Sequence, residues 1–382
     1  MVLELLYVKF SVFIVLLFLN IITFRGKLEL NILLPHLIVT GLFFISFFLG
    51  FLNQTPGNIK LGMLYLFWPT IYYVVFLRGL NIKRIQSTEN VLLFSSAYIG
   101  LSGLWNILDS FYNLNLQLKL FKSEIIGLGI YDGYVEFTMF SLNSLPFLIP
   151  FNILGFFYNF SPSKRKIYLI NSILLFFLAF LSLRKALWVI VILSILFVLY
   201  NLFFVKIRSR IRILIIILIS SFFVGIISYE YNEESPIGQF KNGLNFSNNI
   251  ESGNELRLEQ ISALTKGIMS KPFFGAGLGA SAEIFGSVRN EDEPWSYEVY
   301  FLALAFQIGV LSFLLISLVT SYVHGRLLFI NKTNLSTSIF FSSLMVLLVG
   351  FSNPVFMRFD GIWFFFITLQ FLIFSKQNYD FK

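Results

Sequence analysis

The sequence predicts an all-α, polytopic integral membrane protein with about eleven transmembrane helices in one membrane domain (1–382) and one large extracytoplasmic loop (229–297). Three observations predict it. Apolar residues make up 57% of the 382 positions and charged residues 13%, with a mean hydropathy of +0.80. A soluble domain of that balance would expose large apolar patches and aggregate. Runs of about 20 apolar residues recur along the whole length, which is what a helix needs to cross a bilayer. Backbone polar groups must be paired in hydrocarbon, and the alternation of a β-barrel is absent, so the spans read as helices. Basic residues, finally, gather in alternate connections between the runs. The chain has no cysteine, which excludes disulfides and thiolate metal sites. The first apolar segment lacks an A-x-A-like cleavage site and reads as a span.

Each span follows from this pattern. The first covers 7–24 and ends in the basic turn Arg25–Gly26–Lys27. The second covers 32–52 and ends in a short polar loop, 53–58. The third, 61–77, leads to Arg78, Lys83 and Arg84, and the fourth, 91–109, opens into a loop over 110–133. The fifth, 134–157, carries Pro146 and Pro150 and leads to Lys164, Arg165 and Lys166. From Ile167 to Phe204 the chain is apolar except at Arg184 and Lys185. As one helix that stretch would reach about 57 Å, roughly twice a bilayer core, so it is split at a turn over 183–185. Lys206, Arg208, Arg210 and Arg212 follow, then the eighth span over 213–228. Beyond the long loop the ninth span runs over 298–323. His324, Arg326 and Lys332 occupy the next connection, and spans over 336–351 and 361–374 flank a loop over 352–360.

Charge sets the expected orientation. The connections on one side hold 16 of the 28 Lys and Arg but only 3 of the 20 Asp and Glu. That side is read as cytoplasmic. The long loop, the 110–133 loop and the Arg184 turn then share the outer side, and the N-terminus lies outside. The net charge of +8 is explained by this asymmetry and implies no nucleic-acid binding.

The long loop is the one extended polar region. Within it Ser252–Gly253–Asn254–Glu255 fits a capping box, with Ser252 as N-cap. Leu258, Ile261, Leu264 and Ile268 follow at helical spacing. Arg257 flanks that apolar face, either solvated or, on a helix lying along the membrane, directed toward lipid phosphates. Pro272-Phe-Phe-Gly275-Ala-Gly277-Leu-Gly279 comes next. No strand–helix pair frames these glycines, which excludes a dinucleotide loop. They permit positive φ and close approach of the backbone to a ligand or to a neighbouring helix. Arg184 and Lys185 sit at an outer turn between apolar stretches, where arginine meets headgroups or an anionic ligand.

Glu298 opens the ninth span behind Glu293–Pro294–Trp295, with Pro294 suited to the first helical position. Either it complements the helix dipole, or it is a carboxylate at the lipid–water boundary, its pKa raised by partial burial, serving as a general base. His36 and His324 fall on the cytoplasmic side. Asp132, Glu136, Lys241, Arg289 and Arg358 are further polar residues of the outer face, and Arg358 lies in a short loop placed to line a pocket. No cluster has metal-ligand spacing.

The order of these motifs resembles the O-antigen ligase/polymerase superfamily, which includes the Wzy-type repeat-unit polymerases of lipopolysaccharide and capsule and the O-antigen ligases. The matching pieces are Leu183–Arg184–Lys185–Ala186, Glu255–Leu256–Arg257, the Pro272 to Gly279 segment, and Glu298-Val-Tyr-Phe-Leu followed by Gln307-Ile-Gly309. They cover about 182–309. In the ligases the position of Glu298 is typically histidine, so the departure favours a polymerase. The resemblance implies a GT-C-like membrane glycosyltransferase of the bacterial inner membrane that needs no metal or other cofactor. Its substrate would be an undecaprenyl-pyrophosphate-linked oligosaccharide, transferred at the outer leaflet with inversion onto the next lipid-linked repeat unit. Arg184 and Arg257 would hold the pyrophosphate and Glu298 would act as base. Lys185, Arg289, Arg358, Gly275 and Gly277 would be further substrate contacts. Membrane lipids, a chain-length regulator and a flippase are the implied partners. An O-antigen ligase and a lipid-linked oligosaccharide flippase or transporter are the competing readings. A transporter would be expected to carry charges inside several spans and internal repeats, which are not seen.

Overall fold

The computed structural model describes residues 30–72, 82–112, 127–131, 134–138, 140–158, 162–182, 184–204, 251–286, 293–329, 334–351, 356, 364 and 367–368. The first and eighth expected spans, most of the eleventh, and Asp132, Lys241, Arg289 and Arg358 lie outside the described residues. What is described is helical apart from one two-stranded hairpin. Among the described residues, three helical stretches are long and apolar enough to cross a membrane: Leu34–Leu52, Ser87–Asp109 and Val310–Leu327. The chain divides into two compact units, one of Met1–Ser87 with Gly253–Lys382 and the other of Thr88–Ser252.

The first described element of the first unit is α1 (Leu30–Leu52), whose exposed side carries Phe44, Phe48 and Phe51. After a short loop the chain forms α2 (Asn58–Gly62), a π-helical turn (Met63–Phe67) and α3 (Trp68–Tyr72). The π turn buries Leu64 and Tyr65. Further described helices of the unit are α8 (Glu251–Ser270), α9 (Tyr300–Ile308), α10 (Val310–Phe329) and α11 (Asn334–Val349).

Three expectations are corrected here. The helix of the long loop starts at Glu251, so Ser252 lies inside α8 and is not its N-cap. The ninth span is interrupted: α9 ends at Ile308 and α10 begins at Val310. Gly309 adopts φ 83°, a left-handed conformation that ends an α-helix and favours glycine. Glu298 and Pro294 stand before α9 and not within its first turn, because the helix begins only at Tyr300.

The second unit contains the body of α4 (Ile82–Tyr112), strands β1 (Gly127–Tyr131) and β2 (Tyr134–Thr138), a 3-10 turn (Phe140–Ser144), α5 (Leu145–Tyr158), α6 (Arg165–Leu181) and α7 (Lys185–Phe204). The strands pair antiparallel with Tyr131 opposite Tyr134. The fifth span was expected to start at Tyr134, and this corrects it: β2 occupies that stretch and the helix starts at Leu145. Val135 and Phe137 favour a strand, and Asp132–Gly133 is a dipeptide favoured in two-residue hairpin turns. Helix α5 is apolar all round and buried from Leu145 to Phe157, as such a helix must be. Gly155 lets the Tyr168 ring of α6 lie directly on its backbone. At one end of α6 the carboxylate of Glu89 accepts from Lys164 Nζ and from the Tyr168 hydroxyl, both at 2.7 Å. Asn152 donates to Ser96 and Asn171 to the Leu93 carbonyl, so two side-chain amides of this core bond across helices, while Asn152 Oδ1 is buried without a partner among the described residues. Helix α6 ends at Leu181 and α7 begins at Lys185, so the two helices are separate as the expected turn over 183–185 required, with Lys185 already helical.

Candidate functional site

The site in the first unit is built on the segment Pro272–Ala280, which is wedged between the end of α1 and the α9–α10 break. A broken helix leaves backbone groups without helical partners, and buried ones must be satisfied. The wedge satisfies them. Ala276 donates to the Phe306 carbonyl at 2.9 Å and Gly277 to the Gln307 carbonyl at 3.0 Å, while Val310 donates to the Pro272 carbonyl at 2.8 Å. On the other side Leu278 donates to the Ser46 carbonyl at 2.8 Å and Gly57 to the Gly279 carbonyl at 3.1 Å. Side chains complete the seam: Asn53 donates to the Ala276 carbonyl at 3.0 Å and the Thr55 hydroxyl to the Leu278 carbonyl at 2.5 Å. Gln307, fully buried, donates to the carbonyls of Ala280 and Trp295.

The glycines are required by this packing. Gly275, Gly277 and Gly279 have φ of 75°, 100° and 76°. A Cβ on Gly277 would stand 2.6 Å from the Gly50 backbone, and on Gly275 or Gly279 it would strike the backbone of Gly309 or Gly57. The amides of Gly275, Ala276, Gly277 and Leu278 all donate to protein carbonyls. Of the two partners the sequence allowed for these glycines, the structure therefore provides the neighbouring helices.

The wedge delivers the chain to Glu298. On the way Trp295 packs over Gly57, and Glu293 pairs with Lys60. Tyr297 is fully buried, and its hydroxyl accepts the Ala282 amide at 2.6 Å. Burial raises its pKa above the usual tyrosine value. The Glu298 amide donates to Gln260 Oε1 at 3.1 Å and its carbonyl accepts the Tyr300 amide at 3.0 Å. The Glu298 side chain, 12% exposed, accepts from Arg257 Nε at 2.7 Å; Arg257 is 41% exposed. Arginine presents its donors as a planar fork, and Nε lies on one edge of it. The bond to Glu298 thus orients the fork while its Nη groups project from another edge.

Beyond Tyr300 lies an apolar cavity of about 410 Å³. Its wall includes Val39 and Phe43 of α1, Phe301 and Leu304 of α9, Ile316 of α10 and Leu347 of α11. Tyr65 and Tyr300 line it too, with their hydroxyls 3.2 Å apart and the Tyr65 hydroxyl 3.1 Å from the Phe356 carbonyl.

The structure therefore brings Arg257 and Glu298 together in one unit. Arg184 and Lys185 belong to the other unit, at the start of α7 and half-buried. There the Arg184 amide faces Ser182 Oγ at 3.4 Å, and its carbonyl accepts the amides of Leu187 and Trp188. Sequence reasoning missed Gln260 and Tyr65, and named Gln307 only as part of a motif, with no role. Gln260 is fully buried beside Glu298, and its Nε2 has no partner among the described residues. A signal was present for Gln260, since it lies one helical turn from Arg257, but a glutamine in a polar loop carries little information without its neighbours. Among the described residues no three His, Asp or Glu side chains converge as a metal site requires. No family model, curated protein or solved structure matches this chain.

Proposed function

We propose that the chain is a membrane glycosyltransferase that polymerises lipid-linked oligosaccharide repeat units. In this reading it sits in the bacterial inner membrane with the Glu298 end outward. The observation that carries the proposal is the Arg257–Glu298 pair, with Glu298 two residues before Tyr300, which lines an apolar cavity. A lipid-linked glycan needs a polar group to meet its phosphates, an acceptor for the incoming hydroxyl proton, and an apolar volume for its chain. The paired residues supply the first two, and a cavity of about 410 Å³ is within the usual range for small-molecule sites.

In the proposed step the hydroxyl oxygen of the acceptor sugar attacks the anomeric carbon of the donor. The carbon–oxygen bond to undecaprenyl pyrophosphate breaks on the opposite face, so the carbon inverts. The hydroxyl proton passes to the Glu298 carboxylate. Charge building on the pyrophosphate is met by the Arg257 fork, since arginine stays charged and matches phosphate geometry. The role that the resemblance gives Arg184 is a separate proposal, tested by Arg184→Ala.

The experiment is the surface glycan profile of a deletion strain complemented with wild type or with Glu298→Gln. Wild type is expected to restore a ladder of many repeats and the variant to leave a single-repeat band. A deletion strain that keeps its ladder, unattached to its final anchor, would replace the polymerase reading with the ligase one. Single lipid-linked units retained on the inner leaflet would replace it with a flippase. A ladder from Glu298→Gln equal to wild type would remove Glu298 as the base.

A further inference from the structure

We propose that α8 is an interfacial helix whose strip of Leu258, Ile261, Thr265 and Met269, continued by Phe273 and Phe274, lies in the boundary between acyl chains and headgroups of the bilayer. The inference does not depend on the enzymatic reading.

At about 100° per residue the surface of α8 divides into three arcs. The first holds Gln260, Ala263, Leu264 and Gly267, which are buried in the protein, with Gly267 against the Phe306 ring. The second holds Leu258, Ile261, Thr265 and Met269, all exposed. The third holds Glu259, Ser262, Lys266 and Ser270, also exposed. The apolar spacing in the sequence groups Leu264 with Leu258 and Ile261; the structure separates them and gives each set its own face. A helix with only a protein side and a water side has no use for the second arc. Leu258 is 65% and Met269 78% exposed, and the patch extends into Phe273 and Phe274 at 69% and 63%. A contiguous exposed patch of this kind marks a partner or a membrane.

Two observations select the membrane. The strip is continuous with a lipid-facing surface. The Val310 amide bonds the Pro272 carbonyl, which sets Phe273 and Phe274 beside the first turn of α10. From that turn the exposed residues Leu311, Leu314 and Leu318 run down a stretch long and apolar enough to cross a bilayer. Charge agrees. Lys266 on the adjacent polar arc and Lys271 just after the helix are exposed and suited to lipid phosphates at that depth. Arg257 falls between the buried and apolar arcs, so this docking would hold the Arg257–Glu298 pair at the level of the headgroups.

The natural absence of cysteine makes a clean test possible. Spin labels are attached to the full chain at Leu258→Cys, Met269→Cys and Phe274→Cys, and at Glu259→Cys and Lys266→Cys. The protein is reconstituted in nanodiscs of phosphatidylethanolamine and phosphatidylglycerol. The first three labels are expected to collide mainly with oxygen and the last two mainly with an aqueous nickel chelate, with a several-fold difference in the ratio. All five sites are exposed, and the three strip positions report independently if one variant fails to fold. Preferential collision with nickel along the strip would show that it faces water. Low collision with both reagents would show that protein covers it, and either result overturns the proposal.

Discussion

Arg257 Nε donates to Glu298 Oε2 at 2.7 Å across 41 positions of sequence, joining α8 to the segment that leads into α9. The wedge of Pro272–Ala280 lies between the two residues in the chain. The pair is asymmetric, with the carboxylate largely buried and the guanidinium about two-fifths exposed.

This asymmetry separates the two partners in a mutational test. Glu298→Gln keeps the side-chain shape and loses the charge, while Arg257→Lys keeps the charge and loses the fork. Each is expected to abolish polymer growth with the protein still in the membrane, as measured by glycan ladders and membrane fractionation. A double-mutant cycle on thermal unfolding is expected to give a coupling of about 1–3 kcal/mol, less than for a fully buried pair.

The glycines of the wedge are expected to differ sharply from those on open helix surfaces. Gly277→Ala and Gly279→Ala place a Cβ against backbone at a positive φ, at a cost of about 2–5 kcal/mol. Gly41→Ala and Gly325→Ala meet nothing within 4 Å, and helix propensity alone would make them neutral or up to about 1 kcal/mol stabilising. Melting temperatures of the four variants in one detergent check the contrast.

In the second unit Glu89 is expected to behave as the centre of a buried pair. Glu89→Gln or Lys164→Met alone leaves a partner uncompensated, at a cost of about 2–4 kcal/mol. Tyr168→Phe removes one hydrogen bond to the carboxylate, a loss of about 1.5–3 kcal/mol. The double variant Glu89→Gln/Lys164→Met is expected to be more stable than the sum of the two single losses implies, as read by thermal unfolding.

Tyr297 supplies a pH test. Its pKa is raised in the folded protein by burial, so its contribution is full below the unfolded tyrosine value of about 10 and is lost as pH rises through the folded value. Tyr297→Phe leaves the Ala282 amide without its acceptor and is expected to cost about 1–3 kcal/mol at neutral pH. The difference between wild type and variant should shrink only above about pH 10. A gap that instead closed between pH 6 and 8 would assign the effect to another group.

Of the eleven expected spans, hydropathy was enough to find the three described stretches long and apolar enough to cross a membrane, because a crossing demands a long apolar run whatever the partner. The break between α6 and α7 was legible for a related reason: 38 apolar residues exceed one crossing, and Arg184 with Lys185 marks where the chain can turn. The start of the fifth span was not legible in hydropathy, although Asp132–Gly133 and the strand-favouring Val135 and Phe137 were signals for a hairpin. Tyr134–Thr138 is as apolar as a helix end, and its pairing with Gly127–Tyr131 depends on a partner strand that hydropathy does not see. The break at Gly309 was hidden likewise, since one glycine in an apolar run is tolerated by a helix unless a neighbour takes up the freed backbone groups.

Composition and local pattern were thus enough for the largely helical character of the described residues, the stretches apolar enough to cross a membrane, the segments rich in charge, and the candidacy of Arg257 and Glu298. They did so because solvent preference is a property of each residue and its near neighbours. Packing over long separations settled the rest: that the three wedge glycines meet backbone, that Arg257 reaches Glu298, that Gln260 stands behind it, and that Leu264 faces protein while Leu258 is exposed. Those outcomes rest on steric fit and on pairing buried polar groups, and both depend on residues that are distant in sequence.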